Sequence, residues 1–169
     1  RGMSGKRSFY EEVARVPLII HVPWLRDTER RVGGSIGHVD LVPTLLDLLG
    51  ENIPDHVQGH SRRNVLEGTS TLTDDVFMQW HGGPATISLG NAELDRLSEI
   101  PWRSVVSQDR WKLNLSTGDS CELYDLNKDP LELINLYHHP DHVDRVRYLT
   151  QQILNWQLRT CDKLDLSGI

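Results

Sequence analysis

The sequence predicts an α/β fold: the end of a central, mainly parallel sheet domain, followed by a small α+β subdomain with an antiparallel sheet and a C-terminal helix. Three observations predict it. Residues 16–22 are β-branched and almost continuously apolar, as a strand buried on both faces requires. Residues 38–49 then carry apolar side chains at helical spacing, and a strand followed by a helix is the α/β unit. From residue 75 the pattern shifts to short strands closed by an amphipathic helix over 141–158. Residues 1–69 are expected to belong to the first domain and 70–169 to form the subdomain.

Residues 1–8 hold Gly2 and Gly5 among small polar neighbours, a loop whose backbone can approach a ligand closely. Residues 9–15 read as a short turn or helical piece. Pro17 stands at the start of the strand 16–22, where a lost N–H is tolerated, and Pro23 ends it. In the helix over 38–49, Val39, Val42, Leu45, Leu46 and Leu49 form the apolar face. Asp40 is its candidate cap, Pro43 lies in the first turn, and Gly50 follows the last. Residues 50–75 are turn-rich linker with a short apolar piece at 64–66.

The subdomain strands are expected at 76–80, 103–115 and 121–126. Over 111–115 polar and apolar residues alternate, so one face should be covered and Lys112 and Asn114 should lie on the other. Asp129 and Pro130 stop the third strand. The final helix presents Val143, Val146, Leu149, Ile153 and Trp156. Trp111, Leu113, Leu123, Leu126, Ile153 and Trp156 are expected to share one core.

A chain of 169 residues with 38% hydrophobic and 25% charged residues can bury a core. Its net charge of −6, with scattered basic residues, argues against nucleic acid or a membrane surface as partner. The longest apolar run, 16–22, is broken by Pro17 and His21 and is too short to span a bilayer. Cys121 and Cys161 are expected to be free thiols. No compartment is assigned. His138, His139 and His142 surround Pro140 at a helix start without the acidic or thiol partners that would complete a zinc site, so no metal ligand is assigned within the chain. His81 follows the strand 76–80 and precedes Gly82, Gly83 and Pro84; it is a candidate substrate contact, with a plain turn histidine as the alternative.

Four ordered motifs give the chain a family likeness: G-K-x-x-x-Y-E-E-x-x-R-V-P-L from Gly5, V-D-L-x-P-T-L-L-D-L-x-G from Val39, R-W-K-L from Arg110, and L-Y-D-L-x-x-D-P-x-E-x-x-N-L from Leu123. Together they resemble the C-terminal portion of a sulfatase of the alkaline phosphatase superfamily. By that resemblance the intact protein is a sulfuric ester hydrolase. Lys6 occupies the position of the lysine that reaches the sulfate group, so it is the candidate catalytic and substrate-binding residue; an ammonium there stabilises charge as the S–O bond breaks. Tyr10, Glu11, Glu12 and Arg15 are expected to support the loop that carries Lys6, with Glu11 or Glu12 paired to Arg15 at helical spacing.

The resemblance also implies a formylglycine nucleophile and a divalent cation, Ca2+ or Mg2+. The C-x-P-x-R or S-x-P-x-R motif of the nucleophile does not occur here, and no acidic cluster suits a hard cation. Both are expected from a preceding part of the same protein, and the 169 residues alone are expected to be inactive. The implied partners are a sulfate ester and that preceding part; a homo-oligomer is allowed. A phosphonate monoester hydrolase or phosphodiesterase of the same superfamily is the alternative enzyme, and a non-catalytic interaction module is the alternative outside enzymology.

Overall fold

In the computed structural model, residues 8–25, 29–83 and 92–169 are described. The elements are helix α1 (Glu11–Ala14), helix α2 (Leu41–Leu49) entered through a 3-10 turn at His38–Asp40, helix α3 (Arg63–Glu67), strand β1 (Val76–Trp80), helix α4 (Ala92–Glu99), strands β2 (Trp102–Val106), β3 (Trp111–Ser116) and β4 (Glu122–Asp125), and helix α5 (Val143–Thr160) after a 3-10 turn at Pro140–His142. They form two compact units: 1–16 with 77–169, and 17–76. Residues 8–16 therefore cluster with the C-terminal sheet, across the expected boundary at 69/70.

The larger unit is built on a four-stranded antiparallel sheet in the order β1-β2-β3-β4, covered by α5. Residues 103–115, expected as one strand, make two. A hairpin joins them: the Ser107 N–H donates to the Trp111 carbonyl at 2.8 Å, and Arg110 adopts the left-handed conformation at φ 65°. A three-residue loop ending in that conformation is a favoured hairpin connection. Ser107 Oγ fixes it, donating to Asp109 at 2.6 Å and accepting the Trp111 N–H at 3.0 Å. Sequence alternation ran through this turn because none of its residues is a glycine or proline.

Register then sorts the side chains. Val105 pairs with Leu113, and Leu113 with Leu123. These three, with Leu115 and Cys121, are buried under Leu149 and Ile153 of α5 and Leu166. Two expected core members lie elsewhere. Leu126 joins a second cluster with Val106 and Tyr124, since three residues along an extended chain reverse the face. Trp156 is half-buried and stacks on Phe77, centroids 5.5 Å apart and planes 4° from parallel. One end of the covered face is closed by a buried ion pair, in which Arg103 Nε and Nη2 each donate to an Asp162 carboxylate oxygen at 2.6 Å. The Gln157 amide donates to the same carboxylate at 2.8 Å. The Arg103 hydrogen bonds hold the Asp162 carboxyl far below its ordinary pKa.

The smaller unit corrects two expectations. Residues 15–22 make no strand, and Ile19 is 93% exposed. An interior parallel strand exists only beside partner strands. Among the described residues no central parallel sheet is present to supply them. Asp40 makes no side-chain cap to α2. Its buried carboxylate instead accepts the His60 N–H and Arg62 Nε, both at 2.9 Å, while Thr44 Oγ1 accepts the Arg62 N–H at 2.9 Å. The V-D-L-x-P-T motif thus ties α2 to the segment leading into α3.

Ile153→Ala should cost about 2–5 kcal/mol in denaturant unfolding, because a fully buried branched side chain leaves a cavity. Leu158→Ala, 79% exposed on the same helix, should cost no more than about 0.5 kcal/mol. A carboxyl whose folded pKa is depressed contributes stability above its unfolded pKa and loses it as pH falls. The stability gap between the parent and Asp162→Asn should therefore be full at neutral pH and shrink below about pH 4, followed by denaturant titrations at stepped pH.

Candidate functional site

Three consecutive residues, Phe9, Tyr10 and Glu11, dock on the face of the sheet that alternation assigned to Lys112 and Asn114. That face is not solvent-exposed. Register places Trp102, Ser104 and Val106 of β2 on it, opposite Ser116, Asn114 and Lys112 of β3. Phe9 is buried edge-on against Trp102 with centroids 5.1 Å apart. Tyr10 Oη donates to Glu122 Oε1 at 2.9 Å. The Glu11 N–H donates to Glu132 Oε2 at 2.6 Å.

Lys112 closes this arrangement. Its ammonium lies 3.0 Å from Glu11 Oε1 and 2.9 Å from Glu132 Oε1, with the Lys112 and Glu132 side chains fully buried. Two carboxylates thereby converge on one buried lysine side chain, and a buried polar group needs such partners. Beside it, Ser104 Oγ donates to the Asn114 carbonyl at 2.6 Å and the Asn114 amide donates to Glu122 Oε2 at 3.2 Å. Burial pushes the Glu122 carboxyl up, against the opposing hydrogen bonds from Tyr10 and Asn114.

The chain reaches this geometry through the motif that starts at Leu123. Asp125 accepts the Asn127 N–H at 3.1 Å and turns the backbone after β4. Asp129 Oδ2 accepts the N–H groups of Leu133 and Ile134 at 2.7 and 2.8 Å, which folds the loop on itself. Glu132 is held there in the left-handed region at φ 54°, a conformation that costs energy for a non-glycine residue. The Asn135 side chain then mimics a further strand along β4: its Oδ1 accepts the Leu123 N–H and its Nδ2 donates to the Cys121 backbone carbonyl, each at 3.0 Å. The acidic and amide residues of L-Y-D-L-x-x-D-P-x-E-x-x-N-L are thus accounted for as the scaffold that delivers Glu132.

The candidate residues fall as follows. Lys6 lies outside the described residues. Tyr10 and Glu11 belong to the buried arrangement, Glu11 reaching Lys112 rather than Arg15. Glu12 and Arg15 are exposed at α1. His81 is exposed just after β1. Its neighbour Gly82 has φ 74°, and a Cβ there would stand 2.0 Å from the Glu99 carbonyl, so only glycine fits beneath α4. His139 Nδ1 accepts the Asp141 N–H at 3.3 Å and His142 packs 5.1 Å from Trp111, so these histidines start α5. Cys121 is buried and Cys161 exposed, both as free thiols. Among the described residues no group of three His, Cys, Asp or Glu side chains is arranged to hold a metal ion. Sequence reasoning missed Lys112, Glu122 and Glu132. Lys112 and Glu132 stand inside quoted motifs, but each reads as a solvated charge until the fold brings them together.

Comparison with known proteins agrees with this arrangement of motifs. The family described as N-sulphoglucosamine sulphohydrolase, C-terminal, matches residues 1–159. An N-acetylglucosamine-6-O-sulfatase of Bacteroides thetaiotaomicron is 27% identical over 155 residues, covering 89% of this chain and 26% of that protein. A sulfatase-like crystal structure from the same organism superposes with TM-score 0.75 at 27% identity, over 92% of this chain and 32% of that one. A phosphonate monoester hydrolase of Silicibacter pomeroyi superposes with TM-score 0.57 at 26% identity, over 71% of this chain and 24% of that one. The chain spans about a quarter of the length of the curated relatives it matches.

Lys112→Ala should cost about 3–5 kcal/mol, because it takes the ammonium from the fully buried Glu132 carboxylate and from Glu11 beside it. Urea titration of the variant beside the parent measures it. A loss below about 0.5 kcal/mol would return Lys112 to the solvated role that alternation assigned to it.

Proposed function

Because the chain belongs to the sulfatase family, through the C-terminal region described for N-sulphoglucosamine sulphohydrolase, we propose that it is the C-terminal portion of an enzyme that hydrolyses sulfate esters. The observation that carries this reading is the coincidence of four ordered motifs with a family match over 1–159. On this reading residues 1–69 contribute to a larger α/β domain and 70–169 form its C-terminal subdomain. The ester is cleaved with a formylglycine nucleophile and a divalent cation, Ca2+ or Mg2+, both held by residues outside these 169. Lys6 donates to the sulfate oxygens. His81, exposed at the end of β1, contacts the substrate. Tyr10, Glu11, Glu12 and Arg15 support the segment that follows Lys6.

A second reading, hydrolysis of phosphonate monoesters or phosphodiesters, is favoured by the superposition on a phosphonate monoester hydrolase. Both substrate types present a tetrahedral anionic centre with non-bridging oxygens, which a lysine ammonium binds equally well. Rates on paired aryl sulfate and aryl phosphonate esters separate them.

In the full-length protein, Lys6→Ala should lower kcat/KM on an aryl sulfate by about two to three orders of magnitude without unfolding it, as loss of one transition-state donor does. Unchanged activity would remove Lys6 from the chemistry. The 169 residues alone should show no turnover, with or without added calcium or magnesium. Reproducible hydrolysis by them would overturn the assignment of nucleophile and cation to residues elsewhere.

A further inference from the structure

The loop after β4 holds large apolar side chains in water. Leu131, Leu133 and Ile134 are 58%, 72% and 65% exposed, on a segment whose backbone is committed elsewhere. The Leu133 and Ile134 N–H groups donate to Asp129 Oδ2, and the Glu132 N–H donates to the Asp129 carbonyl at 3.1 Å. On one side Glu132, at φ 54°, reaches Lys112; on the other the Asn135 side chain is bonded along β4. Turning the apolar side chains inward would break these bonds. Single apolar residues scattered over a surface need no explanation, whereas a group held rigidly on one loop marks a surface that something covers.

We propose that Leu131, Leu133 and Ile134 form a contact surface for the part of the same polypeptide that precedes these 169 residues. This rests on the reading of the chain as a C-terminal portion, which supplies a covering body: the chain spans about a quarter of the length of its curated relatives. Size, place and charge select that occupant. A stable interface between separate proteins takes about 20–30 residues a side, so this patch alone is too small to hold a second copy or a free partner. A tethered domain is already at high effective concentration, and a small apolar patch suffices to seat it. Glu132, inside the patch, accepts the Glu11 N–H at 2.6 Å, so the loop stands beside the N-terminal segment of the described unit. Residues 125–134 carry Asp125, Asp129 and Glu132 against Lys128 alone, a balance that an anionic bilayer repels.

The test is carbene footprinting and photo-crosslinking of the full-length protein, at a concentration where sedimentation shows a monomer. Leu133 and Ile134 should label several-fold less in the folded protein than after unfolding in urea, as the fully buried Ile153 does. Leu133→Met conserves volume, and with photo-methionine at that position it should crosslink to peptides that precede residue 1 in the same polypeptide. Labelling of Leu133 and Ile134 at the unfolded rate, or crosslinks confined to these 169 residues, would overturn the proposal. Protection that appears only in a dimer, or only with phosphatidylserine and phosphatidylcholine vesicles, would give the patch to a second copy or a bilayer and overturn it as well. None of these outcomes bears on aryl sulfate turnover, which tests the sulfatase reading separately. A full-length polypeptide with no part before these residues would remove the C-terminal reading, and this inference with it.

Discussion

A lysine buried between two glutamates is the contact on which the larger unit depends. Lys112 sits in the middle of the central hairpin, Glu132 on the loop after β4, and Glu11 on a segment a hundred residues earlier. Their convergence joins the same three stretches that meet where Tyr10 packs on Val106, Tyr124 and Leu126, and it encloses charge where uncompensated charge is costly. Around it, Phe9 on Trp102 and Tyr10 on Glu122 complete a cover of one chain segment over one sheet face. The opposite face is conventional, with α5 laid across Val105, Leu113 and Leu123. The sheet is therefore a middle layer, apolar on one side and covered on the other by a mixture of polar side chains and the Val106, Tyr124 and Leu126 cluster.

That layering gives the motifs of this chain a physical role. The residues of the last motif shape a loop that presents Glu132 at one point in space. The tyrosine and first glutamate of the first motif meet that loop and its sheet. Motifs far apart in the chain are two halves of one contact, and the segment they fix follows the lysine proposed to meet the sulfate.

Much of the larger unit was legible in the sequence. The amphipathic period of α5 and the alternation in β3 are local signals, and each predicted its own face correctly at Leu113, Leu149 and Ile153. What was illegible was non-local. Alternation shows that Lys112 and Leu113 face opposite ways, but not that a distant segment will cover the Lys112 side. The turn at 107–110 went unseen because a serine side chain, rather than a glycine or proline, shapes it. The strand expected at 16–22 had the composition of an interior strand, but among the described residues there is no parallel sheet for it to join. At the site, Tyr10 and Glu11 were singled out in the sequence, whereas the direction of Glu11 depended on a partner 101 residues away.

Amide hydrogen exchange at Glu11 tests the central claim most directly. This N–H lies at the start of a four-residue helix, where no intrahelical acceptor is available, so only the Glu132 carboxylate can protect it. In the folded full-length protein it should exchange orders of magnitude more slowly than in an unstructured peptide, and Glu132→Ala should abolish that protection while Leu149 and Ile153 keep theirs. Exchange of the Glu11 amide at the unstructured rate in the parent protein would contradict the account, because residues 9–11 would not be held by the sheet.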